Sequence, residues 1–78
     1  MSEYKADKII NLKGLKCPMT FVRTKLALEE LEAGQILKSI VDDPVASQDV
    51  PRSAKLQGYD VLEVMESEPG VWEIWIRK

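Results

Sequence analysis

The stretch from Pro18 to Glu32 limits what this chain can fold into more than any other. It repeats with a helical period. At 100° per residue Phe21, Thr24, Ala27, Leu28 and Leu31 fall in one arc that carries no charge. A helix with one apolar face needs an apolar surface to cover it, and short runs of strand-like alternation supply that surface. Lys8–Leu12 places Ile10 and Leu12 on one side, and Gln35–Val41 turns Leu37, Ser39 and Val41 inward with Lys38 outward. Asp60–Glu66 and Val71–Arg77 follow, joined by Glu68-Pro69-Gly70, which predicts an antiparallel hairpin. Asp42-Asp43-Pro44 has the residues of a strand-ending turn. Ser47–Gln57 is expected as a second helix, with Pro51 setting its start or kinking it. The order is β-α-β-α-β-β.

At 78 residues this is one domain, 1–78, with the polar segment 1–7 expected to fray. A chain so short buries only about 60% of its unfolded surface, so a single two-layer core is the ceiling. The formal charge of −2 offers no global attraction to nucleic acid, and no apolar run approaches the length of a membrane span. Trp72 and Trp75 stand three apart on a strand, hence on opposite faces, which favours core over a base-stacking platform. There is no histidine and only one cysteine. Those absences exclude a thiol–imidazole dyad, a CxxC redox couple, an internal disulfide and a thiolate zinc site. A lone cysteine suits a reducing cytosol.

That cysteine, Cys17, directly precedes Pro18 at the expected helix start. Proline fits the first helical position because its missing N–H would have no partner there. Cys17 then falls at or beside the N-cap, where free N–H groups and the helix dipole favour thiolate and lower the thiol pKa. What the residues leave open is a single thiolate able to accept sulfur and pass it on, or a small buried or oxidation-sensing cysteine in a binding module. Lys13, Lys16 and Arg23 add positive charge nearby, although each taken singly is an ordinary solvated cation.

Leu12-Lys13-Gly14-Leu15-Lys16-Cys17-Pro18, then Asp42-Asp43-Pro44, then Asp49-Val50-Pro51, resembles the TusA/SirA family of small sulfur carriers over nearly the whole chain. The resemblance implies an α/β two-layer sandwich with two helices on one face of a four-stranded mixed sheet. It implies that Cys17 is the residue that takes sulfane sulfur as a persulfide from a cysteine desulfurase or a rhodanese-type donor. Delivery then goes to an acceptor protein in tRNA thiolation, cofactor synthesis or sulfur metabolism. No cofactor, metal, membrane or direct nucleic-acid contact is expected, and the protein is expected as a cytoplasmic monomer acting as a protein cosubstrate. The usual motif is Cys-Pro-x-Pro, and Thr20 stands here at its fourth position. Thr20 adds an N–H and a hydroxyl, so Lys16, Pro18 and Thr20 are the expected site-shaping residues.

Met19, Val22 and Leu26 form a second apolar stripe at i, i+3 and i+7 of the helix. With the longer stripe on the sheet, this one should stay at least partly exposed. Together with Arg23 it is the expected docking surface for partners; the alternative is a seam with the second helix.

Overall fold

The structure, a computed structural model, describes residues 5–16 and 18–78. Strands β1 (Lys8–Asn11), β2 (Ile36–Val41), β3 (Asp60–Glu68) and β4 (Val71–Arg77) form one sheet, crossed by helices α1 (Met19–Glu30) and α2 (Pro44–Leu56). The strand order is β1-β2-β4-β3, with β1 parallel to β2 and the other pairs antiparallel. This is the mixed α/β sandwich expected. The core lies between sheet and helices, where Leu28, Leu37, Val41, Val50, Ala54, Ile74 and Ile76 are wholly buried. Phe21, Leu31, Leu15 and Trp72 pack against it.

Alternation sets the inner face, with Leu37 opposite Ile76, Ser39 opposite Ile74 and Val41 opposite Trp72. Trp75 points the other way, yet it is only 7% exposed. On that outer face the Lys38 ammonium lies 5.2 Å from the indole centroid and 3.3 Å from the Glu73 carboxylate. A buried indole is no stacking platform for bases.

Two helix boundaries differ from expectation by two residues or more. The second helix begins at Pro44 and not near Ser47, because Asp43 caps it: its carboxylate accepts the Val45 N–H at 3.3 Å, and Pro44 occupies the first helical position. The Asp-Pro pair is therefore a helix start and not simply a turn. Pro51 lies inside α2, buried, where it has no N–H for the Ser47 carbonyl. Finally α1 stops at Glu30, two residues short of Glu32. Leu31 turns extended (φ −89°, ψ 159°) and packs on the core, while the Lys78 ammonium takes the carbonyls of Glu29 and Leu31. Gly34, at φ +90°, serves the turn beyond.

Candidate functional site

Two parallel strands, β1 and β2, each run into a helix start, and one hydrogen bond joins the two connections. Gly14, which needs its φ of +88°, donates its N–H to Asp42 Oδ1 at 3.0 Å. Asp42 thus holds the turn that leads into residues 15–18, a role nothing local in the sequence signals. Asn11 Oδ1 accepts the Lys13 N–H at 3.0 Å, and Leu15 N–H closes on the Leu12 carbonyl at 3.1 Å.

Cys17 lies outside the described residues, as do residues 1–4 of the expected frayed start. Pro18, exposed, is the cap residue of α1 itself (φ −91°, ψ 1°) and not its first helical residue as expected. The Lys16 carbonyl already takes the N–H groups of Met19 (2.8 Å) and Thr20 (3.4 Å), which tightens the entry by one residue. The Pro18 carbonyl takes Val22 N–H at 3.1 Å.

The two helix starts differ in charge. At α2 the Asp43 carboxylate meets the positive end of the dipole. At α1 no side chain caps the start, and the first turn holds no acidic residue. Lys13, Lys16 and Arg23 form no ion pair among the described residues. The α1 start thus carries no acidic side chain of its own, and the carboxylate bound to the incoming turn is that of Asp42 on the Gly14 N–H.

Of the expected docking residues, Met19, Val22 and Leu26 are 44%, 42% and 55% exposed. The stripe is therefore open to solvent, and α2 does not close a seam over it. Arg23 and Leu26 also line a groove of about 370 Å³ between α1 and the edge strand, together with Lys8, Ile10, Leu12 and Glu30. Met19 and Val22 do not line it. Lys8 pairs with Glu30 across the groove; its hydrogen bond first, and its charge second, hold the Glu30 carboxyl below the usual carboxylate range. Thr20, expected as a polar group near the site, is instead wholly buried on the core side. Counting the core arc from Phe21 missed it. Among the described residues no cluster of acidic or sulfur ligands could hold a metal, and no helix is long and apolar enough to cross a membrane.

Residues 8–78 match the family described as Sulfurtransferase TusA. The chain belongs to the TusA family of sulfur carrier proteins. YrkI of Bacillus subtilis is 45% identical over 74 residues, covering 95% of this chain and 97% of that protein. The sulfur carrier protein TusA of Pseudomonas putida (strain W619) is 33% identical over 78 residues, covering 100% and 96%. The crystal structure of a SirA-like protein from Desulfitobacterium hafniense superposes with a TM-score of 0.80 at 35% identity, over 90% of this chain and 95% of that one. The TusA assignment thus spans the whole sandwich.

Proposed function

We propose that Cys17 is the carrier residue, cycling between thiolate and persulfide in the cytoplasm. A donor protein of the cysteine desulfurase or rhodanese type loads it, and an acceptor protein of a sulfur relay unloads it. The observation that carries this reading is the start of α1, with no side-chain cap and no acidic residue in its first turn, directly after the chain's one cysteine. Pro18 and Lys16 set the turn that presents the sulfur, and Thr20 shapes it from the buried side. Met19, Val22, Leu26 and Arg23 form the surface on which donor and acceptor dock, since another protein's cysteine must approach the same sulfur. Because the protein only holds the sulfur, it acts as a cosubstrate for its partners.

Intact-mass measurement after incubation with a cysteine desulfurase and cysteine tests the proposal. The wild-type protein is expected to gain one or more sulfur atoms, lost again under thiol reductant, while Cys17→Ser gains none. A folded wild-type protein that stays unmodified by several sulfane donors overturns it. A binding module in which Cys17 is structural would keep its partner after alkylation, whereas a carrier loses all transfer.

A further inference from the structure

The sheet has two edges, and they differ in how they meet an incoming strand. Edge strand β3 carries Asp60, Glu63, Glu66 and Glu68 and shifts register twice against β4. Charges and bulges of this kind stop a sheet from taking on a further strand. Strand β1 is short, but it runs against β2 without a register shift, and the charge of its one ionised side chain, Lys8, is tied to Glu30. Successive strand residues turn their backbone groups to opposite sides. Leu12 donates its N–H to the Ile40 carbonyl, so Ile10 and Leu12 face β2, while the N–H and C=O groups of Ile9 and Asn11 face away from the sheet. Those outward groups have no hydrogen-bond partner among the described residues.

The flank of α1 above that edge is open as well. The helix returns antiparallel to β1, as a crossover between parallel strands requires, so Glu30 lies beside Lys8 and Arg23 lies towards Leu12. Between them runs the groove of about 370 Å³, with Ile10 and Leu12 on the strand side and Leu26 and Ala27 on the helix side. Leu26 is 55% exposed there, and Ile9, on the opposite face of β1, is 59% exposed. A strand added at β1 would run about 4.8 Å from it and set every second side chain beneath α1. The charges of Lys8 and Glu30 offset each other, and Arg23 has no ion pair among the described residues, so the groove is left with one cation to satisfy. The geometry points to β1 as the docking edge for an extended segment of a partner protein. The segment adds as a fifth strand, with an apolar side chain under Leu26 and an acidic one, two residues away, on Arg23. Such docking needs no sulfur on Cys17.

The test titrates isotope-labelled protein with the blocked peptide Glu-Ile-Val-Ile-Glu, whose glutamates and valine fall on one face of a strand, and follows backbone amide exchange. With peptide at about ten times its Kd, exchange at Ile9 and Asn11 is expected to slow about tenfold. Ile10 and Leu12, whose N–H groups already bond β2, should change less. Arg23→Glu should weaken binding about tenfold, and so should lysine in place of both glutamates of the peptide. N-methylation of the central peptide residues, which removes backbone donors, should abolish binding. Ile9→Pro removes an outward N–H without touching the bonds to β2, and it should weaken binding too. If that variant is unstable, the N-methylated peptide decides the point on the unaltered protein. Unprotected Ile9 and Asn11 amides, or protection spread evenly over the sheet, overturn the docking edge. Equal binding of the N-methylated peptide does the same, and equal binding by Arg23→Glu overturns the acidic class of segment. Protection of Ile9 and Asn11 on concentrating the protein without peptide would assign the edge to a second copy, and that too overturns the partner segment.

Discussion

Proline has two different positions at the two helix starts. Pro44 fills the first helical position behind an aspartate cap, whereas Pro18 is the cap residue and brings no capping side chain of its own. The same dipeptide logic that places a helix start at Cys17-Pro18 applies more fully at Asp43-Pro44, where a turn was the expectation. Aspartate and proline favour both outcomes, and only the apolar positions at Ala46, Val50 and Ala54, buried at helical spacing, decide between them. Since Pro18 is exposed and alanine tolerates a helix start, Pro18→Ala should change stability by less than about 1 kcal/mol. Its sulfur transfer should fall further than its stability, because the turn that presents Cys17 loses its fixed φ. A variant that melts far earlier yet transfers normally when folded makes Pro18 a folding residue only.

Helix α1 presents three sides with three different surroundings. One packs on the sheet, one borders the groove beside β1, and one carries Met19 and Val22 into solvent, with Leu26 of the same stripe at the rim of the groove. Periodicity alone made the first and third legible, because apolar residues at i, i+3 and i+7 must share a side wherever it points. The groove was not legible, since it depends on how far β1 stands from the helix. Thr20 escaped for a different reason: a hydroxyl has no hydropathic signature of burial. Leu26→Glu should leave stability within about 0.5 kcal/mol, because the side chain is already solvated. Transfer to and from a partner should weaken, as measured by the rate of sulfur exchange with a desulfurase. A large fall in melting temperature, or normal exchange in a stable variant, removes the stripe from the docking surface.

The whole sandwich was legible in outline because glycine and proline punctuate it at nearly every change of period. What linear patterns do not contain is the pairing of distant segments, such as the Asp42–Gly14 bond or the place of β4 between β2 and β3. That strand order has a consequence for assembly. The β3–β4 hairpin closes over a two-residue turn, so its contacts are local and the loop entropy they cost is small. By contrast β1 is a four-residue edge strand with one neighbour, and it meets β2 only after the chain has traversed all of α1. Strand β1, which leads towards Cys17, is therefore expected to join last and open first, while the hairpin holds. Hydrogen exchange should show this directly, with amides of β1, and Leu12 N–H on the Ile40 carbonyl, exchanging faster than those of β4. Equal protection across the sheet would mean that the molecule opens as one unit. Otherwise the fold is a stable hairpin platform with β1 as a looser edge, and that edge can be remodelled by a partner without unfolding the rest.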